Sequence, residues 1–246
     1  MGNVSRSCAR FFAHIVIASS LVLVPTMSQQ PPHETKGSIV AIDGIPIGGV
    51  LVVTSGKGFA GWATSDADGS FRLPTAGEFI SFRHANYNPV LVRSSDLANP
   101  IRIQLAPADE TLWKLKSCNS LPGKGRGWIG SGLRLNPGGA YKTGQGEHDS
   151  HWYVKRGTDT LHLVDGYAWH AGLPLERILS GSETLSVRGW VFDNIVGLDL
   201  SGHTREGKYW RWVGAPVAEA IEYETVSRAT ADDFDGIVST LCFGSR

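Results

Sequence analysis

The sequence predicts an all-β protein with an N-terminal β-sandwich, a second β-rich domain and one short C-terminal helix. Three observations support this prediction. Short β-prone runs recur through both halves of the chain, turn residues separate them, and an apolar stripe at helical spacing follows them around Phe234. With 246 residues, of which 41% are hydrophobic, the chain is long enough for one large or two small globular domains.

The first 28 residues have the composition of an export signal. Two arginines give a positive start, residues 11–25 are mostly apolar, and small residues precede a cleavage position after Ser28. The apolar stretch ends at Pro25, short of the roughly 20 residues that a membrane-spanning helix needs. We therefore expect a secreted or periplasmic protein without a transmembrane segment after signal cleavage. An uncleaved anchor is the alternative.

Cysteine usage fits an exported protein. Cleavage would remove Cys8 and leave Cys118 and Cys242 in a chain that folds in an oxidising compartment. We predict a disulfide between Cys118 and Cys242, and two buried thiols are the alternative. In neither case do we expect a catalytic cysteine.

The charge balance argues against one class of partner. Lysine plus arginine and aspartate plus glutamate both total 23. An overall neutral chain has no long-range attraction to a polyanion, although a local basic patch would not change this total. We therefore expect no nucleic-acid partner.

After a linker at residues 29–35, residues 36–108 predict a β-sandwich. The segment consists of short β-prone runs separated by turn residues, which is typical of such folds. These runs are GSIVAID, GVLVVTSG, FAGWATS, SFRLP, EFISFR, PVLVRS and IRIQLAP.

Two aspartates between these runs are similar in spacing to part of a calcium-binding loop. An EF-hand with Gly69 at its sharp turn would need carboxylates at the positions of Thr64 and Thr75, and helices on both sides. Asp66-Ala-Asp68-Gly is instead typical of a tight turn, because aspartate bonds to backbone N–H groups and glycine accepts positive φ. We expect a hairpin turn here and no bound calcium.

The same segment carries a family resemblance. Pro46-Ile-Gly-Gly-Val50, followed by Ser65-Asp-Ala-Asp-Gly-Ser-Phe71, resembles the carboxypeptidase regulatory-like domain, a transthyretin-like β-sandwich, over about residues 36–107. Asn86-Tyr87 stands where that family usually has Gly-Tyr, and asparagine tolerates the left-handed conformation better than most residues. The resemblance implies a non-catalytic accessory module of exported bacterial proteins.

A zinc peptidase such as the one that gives this family its name would need an H-x-x-E pair and a third ligand. His203 and Glu206 match that pair, but no histidine follows them to complete the site. The segment that holds this pair has a glycine at each end and lies between two β-prone runs. We therefore predict a hairpin loop and no metallopeptidase.

Residues 109–246 predict the second β-rich domain and its helix. Thr230 is a candidate N-cap, and the stripe that begins at Phe234 continues through Ile237, Val238 and Leu241. Gly236 lowers helix propensity, so we expect a short helix. The β-prone runs before it are LWKLKSC, GWIGSGLRL, HWYVKRG, TLHLVDGYAWH, TLSVRGWVF, IVGLDLSG and KYWRWVG.

A histidine-rich stretch holds the candidates for metal or acid–base chemistry. A hairpin at Asp165-Gly166 would point His162 and His170 to opposite faces, and His148 and His151 would diverge on a strand. We therefore predict no metal, cofactor or catalytic residue. If a metal were bound, His148, His151 and His162 would be the candidate ligands. The candidate groups are Glu147, His148, Asp149, His151, His162, Asp165 and His170.

Seven of the eight tryptophans fall in the second half. Trp210 and Trp212 would share one strand face, with Arg211 on the other, an arrangement that can stack on sugar rings or hold a peptide. With Trp152 and Trp169 they form the predicted ligand-binding set, and packing in the core is the alternative.

These patterns together predict an exported, non-catalytic binding or interaction module of the bacterial envelope. Its partner would be a glycan, a peptide or a protein, and carbohydrate binding would follow from the tryptophans. Two alternatives stay open. One is a small secreted hydrolase or metal-dependent enzyme that uses residues 148–170, and the other is a structural envelope protein.

Overall fold

The computed structural model describes most of the chain after residue 33. These residues belong to one compact unit. The predicted export signal at residues 1–28 lies outside them, and among them no helix has the length and apolar character needed to cross a membrane. The described ranges are 34–55, 61–73, 77–110, 112–121, 128–130, 132–145, 149–166, 181–215 and 219–244.

The first half forms the predicted β-sandwich. Its described strands are β1 (Thr35–Ala41), β2 (Leu51–Ser55), β3 (Trp62–Thr64), β4 (Ser70–Leu73), β5 (Phe79–His84), β6 (Tyr87–Arg93) and β7 (Ile101–Leu105). They make a three-stranded sheet in the order β4-β1-β7 and a four-stranded sheet in the order β3-β2-β5-β6. The two sheets share an apolar core, in which the rings of Phe71 and Phe82 meet edge to face at 5.7 Å.

The Asp66–Gly69 turn connects the two sheets of this sandwich. The Ser70 N–H donates to Asp68 Oδ1 at 2.9 Å, and the Gly69 N–H donates to the Asp66 carbonyl oxygen at 2.9 Å. Gly69 has a φ of 77°, a left-handed conformation that suits glycine. The aspartates therefore turn the chain, as predicted. The hairpin interpretation is wrong, because β3 pairs with β2 whereas β4 pairs with β1.

The second half is built around one large sheet. Its strands are β8 (Leu112–Lys114), β9 (Lys116–Ser117), β10 (Leu133–Arg134), β11 (Lys142–Gln145), β12 (Asp149–Arg156), β13 (Asp159–Gly166), β14 (Ser186–Phe192), β15 (Ile195–His203), β16 (Tyr209–Gly214), β17 (Glu219–Val226) and β18 (Cys242–Phe243). Over the described residues, an eight-stranded sheet has the order β11-β12-β13-β17-β16-β15-β14-β8, and a small sheet has the order β10-β18-β9.

One predicted hairpin in this half is wrong. β13 continues through Asp165 to Gly166 instead of turning there, and it pairs with β12 along its whole length. The chain reverses at Gly157, whose φ is 60°. The proposed partner segment, residues 167–170, lies outside the described residues. The loop at His203–Glu206 is confirmed, since it joins the antiparallel strands β15 and β16.

The predicted helix, α1 (Arg228–Val238), begins earlier than expected. The Ser227 hydroxyl accepts the Thr230 N–H at 3.2 Å, so Ser227 and not Thr230 is the N-cap. The apolar stripe is confirmed, because Phe234, Ile237 and Val238 are buried against the eight-stranded sheet.

The four-stranded sheet of the sandwich packs on the face of the eight-stranded sheet opposite α1. Side chains alternate along β5, so Ile80 and Phe82 enter the sandwich core while Phe79 points the other way. Phe79 lies in an apolar cluster with Leu198, Leu200, Trp210, Trp212, Val164 and Ala220 of the eight-stranded sheet. The molecule is thus layered from three-stranded sheet to four-stranded sheet, eight-stranded sheet and helix.

The predicted disulfide between Cys118 and Cys242 is present, and the two cysteines are 124 residues apart in the chain. Cys118 directly follows β9, and Cys242 lies in the neighbouring strand β18. The bond therefore ties the beginning of the second half to the segment that follows α1.

Breaking this bond should lower the free energy of unfolding by about 4 to 5 kcal/mol, because the unfolded chain regains the entropy of a long loop. Chemical denaturation with and without reductant measures the difference. The Cys118→Ala/Cys242→Ala double variant is the control, since reductant should leave its unfolding curve unchanged. An equally stable reduced wild-type protein would contradict the expectation.

Candidate functional site

A cleft of about 900 Å³ lies where the four-stranded sheet meets the eight-stranded sheet. Its volume falls within the roughly 300 to 1,000 Å³ of small-molecule sites. Residues of β2 and β5 form one wall, and the β14–β15 turn, the β16–β17 connection and β18 form the other. The lining residues are Gly49, Leu51, Arg83, His84, Ala85, Gly132, Phe192, Asp193, Asn194, Ile195, Val196, Ala215, Glu219, Phe243 and Gly244.

A register shift in the sheet brings two neighbouring side chains into this cleft. The pairing of β5 with β6 shifts between Phe82 and His84, and Arg83 has no partner in β6. Adjacent residues of a regular strand point to opposite faces, whereas a bulge re-aims them. Arg83 and His84 therefore both line the cleft.

Arg83 is the buried cation of the cleft. Its side chain is 6% exposed, and its Nε–H donates to the Ser81 hydroxyl at 3.0 Å. The Nη1 atom is buried and has no hydrogen-bond partner among the described residues. Burial lowers the pKa of Arg83 to about 10, so the guanidinium still carries its charge at neutral pH.

Of the three other ionisable residues that line the cleft, Glu219 and His84 have structural bonding partners, and Asp193 is exposed. The Glu219 carboxylate accepts the N–H groups of Gly132 at 2.9 Å and Leu133 at 2.7 Å. A Cβ at position 132 would collide with that carboxylate, so a larger residue there would displace the Glu219 side chain. His84 Nδ1 accepts the Asn86 N–H at 3.1 Å, and burial lowers the pKa of His84. The neutral ring therefore carries its proton on Nε2.

The apolar part of the cleft comes from aromatic and aliphatic side chains. The rings of Phe192 and Phe243 stack with centroids 4.7 Å apart, and Leu51, Ile195 and Val196 lie on the same lining. A buried cation and an apolar wall thus share one cavity. None of these residues belongs to the set predicted from sequence.

The predicted tryptophan set is divided in the structure. Trp210 and Trp212 share one face, with Arg211 on the other, as predicted, but they are only 2% and 4% exposed. Both rings are thus packed in the core, and neither offers a surface on which a ligand could stack. Trp152 is half-buried against the core, and Trp169 lies outside the described residues, so their binding role stays a prediction.

Two of the predicted histidines meet in a chain of four groups, which we call the histidine chain. His151 Nδ1 lies 2.8 Å from His162 Nε2. Their outer nitrogens face carboxylates, with Asp149 Oδ1 2.8 Å from His151 Nε2 and Glu222 Oε1 3.3 Å from His162 Nδ1. The ring of Tyr153 stacks on His162 with centroids 4.7 Å apart.

Strand pairing explains why these histidines converge. His151 pairs with Val164, so His162 lies diagonally across on the same face of the sheet. His162 pairs directly with Glu222 of β17. The predicted geometry concerned His162 with His170 and His148 with His151, so it did not include the contact between His151 and His162.

The histidine chain is a hydrogen-bonded arrangement of two imidazoles and two carboxylates. Across the described ranges, no group of three potential ligands is close enough to hold a metal ion. The candidates His148 and His170 lie outside those ranges.

A half-buried arginine, Arg211, lies between the large sheet and α1. Arg211 donates to both carboxylate oxygens of Asp199, at 2.8 and 2.7 Å, and to Asp235 of α1 at 3.0 Å. The Tyr223 hydroxyl also donates to Asp235, at 2.8 Å. Hydrogen bonds and charge attraction from both carboxylates outweigh burial and raise the pKa of Arg211. This network joins β15, β16, β17 and the helix.

No family model matches the chain, and neither a curated protein nor a solved structure is similar to it. The function therefore has to follow from the chemistry of the cleft and of the histidine chain. Of the two, only the cleft combines, among the described residues, a volume of ligand size with a buried charge.

The Tyr223–Asp235 bond predicts how stability depends on alkaline pH. Burial and the Asp235 charge raise the pKa of Tyr223 well above its ordinary value. The fold favours the neutral phenol, so this stabilisation is complete below the unfolded pKa of about 10 and is lost as pH rises above it. Tyr223→Phe should lower the free energy of unfolding by about 1 kcal/mol at neutral pH. It should also reduce the loss of stability at alkaline pH.

Denaturant unfolding from about pH 8 to about pH 11 measures both effects. Tyr141→Phe is the matched control, because Tyr141 is exposed. That variant should keep the wild-type pH dependence. An identical alkaline slope in wild type and Tyr223→Phe would show that Tyr223 is not responsible.

Proposed function

We propose that this protein is a non-catalytic binding protein that takes a small, largely apolar molecule into the cleft between its sandwich and its large sheet. The cleft itself supports this proposal, because its volume is that of a ligand site and stacked aromatic rings lie along it. Binding rather than catalysis is favoured because Glu219 and His84 are already held by backbone N–H groups.

We also propose that the protein acts outside the cytoplasm and that residues 36–108 are a carboxypeptidase regulatory-like domain. A disulfide supports an oxidising compartment. Two facing sheets with a turn at Asp66–Gly69 support the domain proposal, since the resemblance implies a β-sandwich. In that arrangement the sandwich is an accessory module whose outer face forms one wall of the binding site.

Binding of Nile red, an uncharged apolar dye, tests the cleft. The disulfide-bonded protein should raise the fluorescence of the dye with saturation. Leu51→Trp replaces an aliphatic lining side chain by a bulkier indole ring that fills part of the cleft. The substitution should weaken dye binding by about tenfold or more, equivalent to about 1.4 kcal/mol. Ile45→Trp is the control, because Ile45 is exposed outside the lining. Undiminished binding to a folded Leu51→Trp variant would reject the proposal.

Acid–base catalysis is a second candidate function, and one specific observation favours it. The histidine chain brings two imidazoles and two carboxylates into hydrogen-bond contact. His151 and His162 are 19% and 24% exposed at their side chains, so small molecules can reach them. Such a chain could relay a proton to or from a substrate.

Hydrolysis of 4-nitrophenyl acetate tests this candidate. If the chain is catalytic, His162→Phe should slow hydrolysis by about 100-fold or more, the contribution typical of general acid–base catalysis. His203→Phe, a substitution outside the histidine chain, should retain the wild-type rate. A wild-type rate no higher than that of buffer would eliminate this function for simple esters.

A further inference from the structure

We propose that the cleft binds an apolar molecule that carries one oxyanion group, a carboxylate or a phosphate, and that Arg83 receives this group. The inference rests on the proposed function and adds the chemical class of the ligand. It starts from the buried guanidinium of Arg83, which lines the cleft and has an Nη1 without a partner.

A buried arginine without an anionic partner is costly for a fold. Removing an ion from water is unfavourable for folding unless a counter-charge and hydrogen bonds compensate for it. Among the described residues, the guanidinium of Arg83 has one hydrogen bond, to the neutral hydroxyl of Ser81, and no carboxylate lies within 4.0 Å of it. The structure therefore maintains a charge whose natural complement is an incoming anion.

The chemistry of the cleft matches an anionic head on an apolar body. A guanidinium presents a planar fork of donors that fits a carboxylate or phosphate through two parallel hydrogen bonds. His84 lines the same wall and can add an Nε2–H donor. Phe192, Phe243 and Val196 contribute apolar surface, and the exposed Asp193 and Asn194 lie on the same lining. The Glu219 carboxylate accepts two backbone N–H groups, so it does not compete for Arg83.

This assignment has a consequence for stability that a structural role would not have. Replacing a buried charge by an apolar side chain of similar volume is often neutral or stabilising. Arg83→Met should therefore leave the ligand-free protein as stable as wild type or more so. The Ser81 hydroxyl keeps its bond to the Val53 carbonyl oxygen at 3.3 Å, so the substitution leaves it with a partner.

Isothermal titration calorimetry of the disulfide-bonded full chain with decanoate, decyl phosphate and decanol tests the proposal. Wild type should bind decanoate or decyl phosphate about 10- to 100-fold more tightly than decanol, as expected for a hydrogen bond to a charged group. The relative affinities of decanoate and decyl phosphate identify which oxyanion the site prefers. Arg83→Met should bind decanol as wild type does and lose the preference for the anions.

Two further variants keep the result interpretable. Arg83→Lys keeps the positive charge but loses the planar pair of N–H donors of the guanidinium. It should keep part of the preference for the anionic ligands over decanol. Arg102→Met removes the same charge from an exposed position on β7 and should behave as wild type. Thermal unfolding of each variant verifies its fold.

Each outcome separates this inference from the proposed function. Equal wild-type affinity for decanol, decanoate and decyl phosphate would reject the anion and leave the apolar cleft as the site. An anion preference that survives in Arg83→Met would reject the role of Arg83. If neither Nile red nor any of the three ligands binds, the proposed function fails together with the inference.

Discussion

The packing of Phe79 between the sandwich and the large sheet is the contact on which the candidate site depends. Phe79 lies on the face of β5 that points away from the sandwich core, and it enters a cluster with Leu198 and Trp210. Both faces of β5 are therefore buried, and five of its six residues are buried. The two sheets meet at Phe79, and the cleft lies at the other end of the strand, where Arg83 and His84 line it.

Arg211 and Arg83 illustrate how the same side chain serves different purposes. Arg211 is half-buried between Asp199 and Asp235, and these partners raise its pKa. The guanidinium of Arg83 is fully buried, its one hydrogen-bond partner among the described residues is a serine hydroxyl, and burial lowers its pKa. A fully paired arginine holds elements together, whereas an incompletely paired one retains donors for a ligand. This contrast is the physical basis for assigning structure to one and binding to the other.

Local patterns predicted much of the fold but little of the site. Alternating β-prone runs identified the seven strands of the sandwich, yet β17 was missed because its alanines and glutamates have low strand propensity. Arg83 ends one predicted run and gives no signal of burial, since its surroundings come from a distant strand and from a register shift. The contact between His151 and His162 likewise requires the pairing of β12 with β13, which sequence periodicity does not specify.

The Cys118–Cys242 bond also imposes an order in time. A chain that emerges from a ribosome or a membrane channel presents Cys118 first, and its partner Cys242 follows 124 residues later. During that interval the thiol is exposed to oxidation and to exchange with other cysteines. The bond can close only after β10 to β17 and α1 have all appeared, so its formation marks a nearly complete second half.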